Sequence, residues 1–396
     1  MRIAVYHNLP AGGAMRVLGV HCRELIARGH TLECWMPAGA ATTGLPASMP
    51  LHIVPYRGVG GWLQRLSPAL MRQLQKTTGS IGALDDIARR AAAAINSGGF
   101  DVLFSGNCRY QAVPPIARHV DIPSVLYAHE PYRPFHEPGL AMPLTRVNRR
   151  RRVRAEVENA AAFTLLLANS AYSRGRLQAA YGRIPRVCYL GVDTAQFKPT
   201  GEPRGNAVVG VGVVQPHKRI ELAIEALALL PEDTRPPLQW VGGKGNPLYR
   251  RRLLRLARRR NVALEFHHQA SDAELISLLS RARLLICTAR NEPFGLTPLE
   301  ASACGTTVVG VLEGGLMETV VLDVNGVLTD PTPQALVEEL RTVLQKPKAL
   351  EAMGRLARRH VIQRWGLETS IIKLEDYLSE AAAALANGTV SDGDIL

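Results

Sequence analysis

Short β-branched and apolar runs alternate with amphipathic segments along almost the whole of this 396-residue chain. The first half offers "RIAVYHN", "TLECWM", "LHIVPY", "DVLFSG", "PSVLYAH" and "AFTLLLAN" as strands. The second half offers "AVVGVGVV", "LQWVGG", "ALEFHHQ", "RLLICTA", "TTVVGV" and "NGVLTD". Helical stretches such as "RVLGVHCRELIARG", "RIELAIEALALL" and "DAELISLLSRA" fall between them. Strand–helix alternation sustained this long predicts an α/β protein whose parallel sheets are covered on both faces. The length suits two domains, each with its own core. The Gly- and Pro-rich stretch "GVDTAQFKPTGEPRGN" (191–206), followed at once by a fresh strand, places the boundary near residue 195. Ligands of such sheets bind beyond the carboxyl ends of the strands.

Composition removes several function classes. Aromatic residues make up 5%, too few for a platform that stacks single-stranded nucleic acid. Cysteines 22, 34, 108, 188, 287 and 304 form no C-x-x-C pair, so reduced thiols are expected rather than disulfides or zinc. "MRIAVYHNLP" has no signal-peptide core, and the apolar runs are too short to span a bilayer. A cytoplasmic chain is expected, with the inner membrane face as a docking surface. The charge of +13 points that way, because "RVNRRRRVR" (146–154) has almost no apolar face and suits anionic lipid or an acidic substrate. In "RRRLLRLARRR" (250–260), Leu253, Leu254, Leu256 and Ala257 share one face, so its arginines read as the solvated side of a packed helix. The D-x-D triplet Asp392-Gly393-Asp394 lies in a Gly/Ser/Asp-rich tail and is not read as a metal site.

"NEPFGLTPLE" (291–300) carries the chemistry. Glu292 and Glu300 stand eight positions apart, between the strand "RLLICTA" and the helix "LEASACG", which Gly305 ends. One reading makes Thr297 the N-cap, Pro298 the first helical residue and Glu300 the reciprocal partner of a capping box. The other has both acids grip a ligand, while helix N-terminal amides at 296–299 attract a phosphate.

On these residues the chain resembles the retaining family 4 glycosyltransferases. These have the GT-B fold: two facing Rossmann-like domains and a C-terminal helix crossing back to the first. "EPFGLTPLEASACGTTVVG" is similar to the E-x7-E signature of that family. "AGGAMRVLGVHCRELIARGH", "YAHEP", "ANSAYSRGRL", "YLGVDTAQFKP", "GVVQPHKRIELAIEAL" and "LEGGLMETV" resemble its other motifs, in order. The implied division is 1–195 for acceptor, 196–364 for nucleotide sugar, a crossover helix at 365–388 and a flexible tail at 389–396.

The resemblance implies roles residue by residue. Glu292 would hold the donor sugar near its reacting carbon, and Glu300 would accept hydrogen bonds from the ribose. Phe294 and Gly295 would belong to the donor site, with the amides of Leu296 and Thr297 on the phosphate. Gly12 and Gly13 would let backbone approach the diphosphate. Lys218 would neutralise the leaving group, and His129 would face donor sugar and acceptor hydroxyl. Arg16, Tyr132 and Arg133 would serve the acceptor, and His267 or His268 the base. The family's usual arginine before Lys218 is Val213 here, so Arg219, Lys244 or Arg16 would supply the missing charge. The implied partners are a nucleoside-diphosphate sugar and a hydroxyl-bearing acceptor. Neither a cofactor nor a metal is expected, and nucleic acid is not. The rival readings are a nucleotide-sugar epimerase or phosphorylase on the same fold, and a sugar-nucleotide-binding scaffold without turnover.

Overall fold

A computed structural model describes residues 1–57, 81–137, 146–243 and 245–386. Lys244 and the tail expected at 389–396 lie outside the described residues. The chain divides into two compact units, Met1–Tyr189 with Ile371–Leu396, and Leu190–Ser370.

The first unit is built on a parallel sheet of β1 (Arg2–Asn8), β2 (Thr31–Pro37), β3 (Leu51–Val54), β4 (Val102–Cys108), β5 (Ser124–Ala128), β6 (Leu165–Ala168) and β7 (Arg186–Val187). Its spatial order is β3-β2-β1-β4-β5-β6-β7. The second unit holds β8 (Val208–Val211), β9 (Leu238–Gly242), β10 (Leu264–His268), β11 (Leu284–Cys287), β12 (Val308–Val311) and β13 (Gly326–Thr329). They are ordered β10-β9-β8-β11-β12-β13. In both sheets the order reverses once, between β1 and β4 and between β8 and β11, and ligands bind at such points. This is the two-sheet α/β architecture that the alternation implies.

Central strands are buried on both faces, as β1 shows from Ile3 to Asn8, which explains their continuous apolar runs. The second core gathers Val208, Trp240, Leu253, Leu284, Ile286 and Val309. Trp240 lies flat over Gly210, where any Cβ would collide with the indole, and its Nε1–H donates to the Gly212 carbonyl at 2.8 Å. All the strands expected from sequence form. The two-residue β7 was not foreseen, being too short to show a period beside Pro185.

The helix Leu367–Ala386 begins in the second unit and from Ile371 belongs to the first. There Glu375 reaches His30 at 2.8 Å and Arg28 at 3.3 Å, and the Tyr377 hydroxyl donates to the Val187 carbonyl at 3.3 Å. The chain passes between units at Tyr189–Leu190, slightly before the Pro/Gly stretch. Residues after it are tied to the second unit. Val192 exchanges backbone hydrogen bonds with Trp365 and Leu367, and Phe197 is buried.

Candidate active site

In the second unit, Lys218 and Glu292 approach from the two strands that flank the order reversal. Lys218 follows β8 in the turn Pro216–Lys218, and Glu292 follows β11. Lys218 Nζ stands 2.7 Å from Glu292 Oε2, with the side chains 17% and 23% exposed. The pair lines a cavity with Val211, Trp240, Cys287, Thr288, Gly295 and Thr297. The Thr288 hydroxyl donates to the Lys218 carbonyl at 2.8 Å and fixes the turn. Burial, aided by the charge of Glu292, pushes the Cys287 thiol up to about 12, so it lines the cavity as a neutral group.

The helix beside this cavity spans Leu296–Ala303, and its N-cap is Gly295, with φ 101° and no capping side chain. This corrects the capping-box reading. Thr297 already lies inside the first turn and is not the N-cap. The reason is local: Gly295 supplies a left-handed conformation that starts the helix two residues early. Gly295 also has no room for a side chain, since a Cβ would lie 2.6 Å from Thr319 Oγ1. Glu300 is 3% exposed. The far end agrees with the expected stop at Gly305, which has φ 76°. Thr306 N–H returns to the Ala301 carbonyl and Gly305 N–H to that of Ser302.

Glu292 is held by its backbone. Its carbonyl accepts from Gly315 N–H at 2.7 Å, and Gly314 and Gly315 pack flat on residues 291–294. Arg219 does not line the cavity. It forks onto Glu313 at 3.1 and 2.8 Å and donates from Nε to the Thr288 carbonyl at 2.9 Å. Glu313 also accepts from Asn291 N–H at 3.2 Å, so the Arg219–Glu313 pair braces the loop that carries Glu292. Thr288 and Trp240 escaped the sequence reading, and Glu313 was present only within the motif "LEGGLMETV", with no role assigned to it. Phe294 is buried edge-on against Trp365 at 5.6 Å, so only its backbone can face a ligand. Leu296 is half-buried outside the cavity lining. Val213 offers no cation, and His267 and His268 end β10, separated from β8 by β9 and absent from the cavity lining.

The first unit collects its own group at the ends of β1, β4 and β5. A Cβ at Gly12 or Gly13 would meet nothing within 4 Å, which leaves that backbone open, and Arg16 lies in the first turn of the helix Gly13–Ala27. Arg133 is held by Glu130 at 2.5 Å and Glu137 at 3.7 Å, and Tyr132 packs on Phe135 at 4.6 Å. His129 follows β5, and burial pushes its imidazole down to about 4. Burial does the same to His7, to about 4, and to His21, to about 3, with His129 adding to the effect on His21.

These histidines set a pH dependence. An unfolded histidine titrates near about 6.5, so between there and about 4 the unfolded chain takes up protons that the folded unit refuses. Their contribution to stability is complete above that window and is lost as pH falls through it. Each costs up to about 1.4 kcal/mol per pH unit. Melting temperature should therefore fall already between pH 6.5 and 5, above most carboxylate titrations, and His21→Gln should flatten the slope. A profile flat over that range would contradict the burial argument.

The run 146–154 opens the helix Arg146–Ala162, where Arg150, Arg151 and Arg154 are exposed beside Val147, itself 74% exposed. Arg149 turns inward to the Phe135 carbonyl. In the helix Pro247–Arg259, Tyr249, Leu253 and Ala257 are buried and the arginines face out. Among the described residues, no helix is long and apolar enough to cross a membrane.

Residues 11–196 match the family model described as Glycosyltransferase Family 4, and residues 192–360 match that of Glycosyl transferases group 1. The chain belongs to the family 4 glycosyltransferases. This family 4 glycosyltransferase is 31% identical over 256 residues to a D-inositol 3-phosphate glycosyltransferase of Jonesia denitrificans, covering 58% of this chain and 60% of that one. It spans little more than half the length of the curated relatives it matches. Among solved structures it resembles Anabaena HepE in complex with UDP, with TM-score 0.73, 20% identity and coverage of 96% and 100%. WaaG, a glycosyltransferase involved in lipopolysaccharide biosynthesis, gives TM-score 0.70 at 20% identity, with coverage of 95% and 99%. At that identity the likeness concerns the fold, which is GT-B.

Proposed function

We propose that this protein transfers a hexose-type sugar from a nucleoside-diphosphate sugar to a hydroxyl acceptor, with retention at the anomeric carbon. The observation that carries the reading is the Lys218–Glu292 pair, 2.7 Å apart, beside a helix N-terminus at the sheet's order reversal. Without ligand each side chain compensates the other's charge. An arriving diphosphate, held by the helix amides, would draw Lys218 to itself, since its several charged oxygens outbid one carboxylate. Glu292, released from the ammonium, would accept hydrogen bonds from the sugar hydroxyls and hold the ring. Donor complexes of a structural neighbour, Anabaena HepE with UDP-glucose, support a nucleotide-sugar ligand.

The chemistry asked of the protein is then positioning and charge stabilisation. The bond from the anomeric carbon to the diphosphate oxygen loosens, and its electron pair leaves with the phosphate. The acceptor oxygen attacks on the face the diphosphate is leaving, and its proton passes to a phosphate oxygen of the leaving group. Lys218 and the amides at the start of the helix supply the positive charge, with no metal in this scheme. Among the described residues lining the cavity Glu292 is the one carboxylate, and it is tied to Lys218. A double displacement through an enzyme nucleophile would ask for a second carboxyl group close by.

A thermal-shift screen with UDP, GDP and ADP tests donor binding. Ligand at a hundred times its Kd adds about 2.7 kcal/mol, which is about 5–10 °C for a unit of this size. One nucleoside diphosphate should reach that range and identify the base. No shift with any of them at millimolar concentration would remove the reading, and binding without turnover on the matching sugar donors would leave a scaffold.

A further inference from the structure

Trp240 lines the cavity of Lys218 and Glu292 and is tied to the lysine through one glycine. In the parallel register of β8 and β9 it stands opposite Gly210, and its ring covers that glycine. Its Nε1–H reaches the Gly212 carbonyl, just past the end of β8, at 2.8 Å. That contact has one possible direction, because an indole N–H only donates and a carbonyl only accepts. The Gly212 N–H donates to the Val241 carbonyl at 2.8 Å, and a Cβ on Gly242 would collide with the Gly212 oxygen. β9 thus grips Gly212 at both its amide and its carbonyl. Gly212 has φ 149°, a conformation that side chains rarely adopt, and Lys218 occupies the bare face this leaves. A Cβ at Gly212 would lie 3.0 Å from Lys218 Cε, 3.2 Å from Cδ and 3.5 Å from Cγ, so the stem runs along the glycine. The Lys218 backbone is fixed separately, its carbonyl by the Thr288 hydroxyl and its N–H by the Gln215 carbonyl at 3.0 Å. With backbone and stem both seated, the ammonium end is what remains to move.

We infer that Trp240 is a positioning residue for Lys218: through the Gly212 carbonyl it fixes the seat of the lysine stem and so sets where the ammonium can reach. A free lysine stem samples many rotamers, and a seated one gives up less freedom when its ammonium meets an anion. Val213 supplies no second cation beside it, so the aim of this lysine carries the more weight. The seat needs the indole N–H and not only the ring. Phenylalanine would keep an aromatic face over Gly210 but leave the Gly212 carbonyl without that donor, free to turn away from β9. The inference rests on the sugar-transfer reading only for what the ammonium meets; the seat itself belongs to the unliganded protein.

Full-length protein carrying 13C-labelled lysine tests the seat without ligand. The Lys218 signal, assigned by its loss in Lys218→Arg, should show unequal Cε protons, because a held stem has different surroundings on its two sides. In Trp240→Phe those protons should merge toward the averaged position of an exposed lysine. Equal protons in the wild type, or an unchanged Lys218 signal in Trp240→Phe, overturn the inference and leave Trp240 as core packing. The wild-type spectrum alone can do so if the variant does not fold. Calorimetric titration of the nucleoside diphosphate found by thermal shift adds a double-mutant cycle. Trp240→Phe should bind about fivefold to tenfold more weakly than the wild type. With Lys218 already alanine, the same change should weaken binding less than about twofold, because it acts through that lysine. Equal weakening in both backgrounds would overturn the route through Lys218. If no nucleoside diphosphate binds, the sugar-transfer reading fails, while the lysine spectrum still decides the seat.

Discussion

Lys218→Ala should lower sugar transfer by about a hundredfold to a thousandfold, the cost typical of deleting one preorganised donor from a developing negative charge. The size of the effect follows from how little else in the cavity carries positive charge. The position that usually holds an arginine is Val213, and Arg219 is forked onto Glu313. Among the described residues lining the cavity, deleting Lys218 leaves the leaving diphosphate with helix amides and no side-chain cation. It also leaves Glu292 partly buried without its ammonium partner, so that carboxylate would repel the phosphate. Both consequences act on donor binding and on the transition state, so kcat/KM should fall further than kcat. Lys218→Arg should recover part of the loss, because a guanidinium restores the charge but not the compact shape of the ammonium. Initial rates with the donor identified by thermal shift check this. Wild-type kcat/KM in Lys218→Ala would exclude the proposed role.

Gly315→Ala should be almost as damaging, although Gly315 touches no proposed ligand. Its φ of −68° is ordinary for any residue, so the argument is purely one of space. A Cβ there would lie 2.6 Å from Phe294 Cα and from the Pro293 carbonyl oxygen, and 2.7 Å from that of Phe294. All three are backbone atoms, which no side-chain rotation can move aside. The two loops must part, and Gly315 N–H would be drawn from the Glu292 carbonyl it now meets at 2.7 Å. Overpacking of this kind costs about 1–3 kcal/mol of stability. A displacement of Glu292 on the order of 1 Å costs about a hundredfold in rate. Gly243→Ala is the control, since a Cβ there meets nothing within 4 Å. Equal activity of the two alanine variants would show that the glycine contact does not set Glu292.

The sheets were legible in the sequence because buried parallel strands must be apolar along their whole length, and each expected run became a strand. Lys218 and Glu292 were legible as residues, through a resemblance spread over many motifs. Their pairing was not, since it depends on β8 and β11 becoming neighbours, which no local pattern reports. The same holds for Arg219, which looked like a spare cation until the fold brought Glu313 to it. The helix at the signature misled for a different reason. T-x-x-E has the spacing of a cap, but a glycine just ahead of it can begin the helix sooner. The approach of Trp240 to Gly212 follows from strand register, visible only once β8 and β9 are aligned.

The central claim, that Lys218 exchanges Glu292 for the donor diphosphate, is tested most directly by calorimetric titration of the stabilising nucleoside diphosphate into wild type, Lys218→Ala and Glu292→Gln. Glu292→Gln frees the ammonium, so its affinity should match or exceed the wild type even as sugar transfer is lost, while Lys218→Ala should bind at least about tenfold more weakly. Equal weakening in both variants, or wild-type affinity in Lys218→Ala, would contradict it.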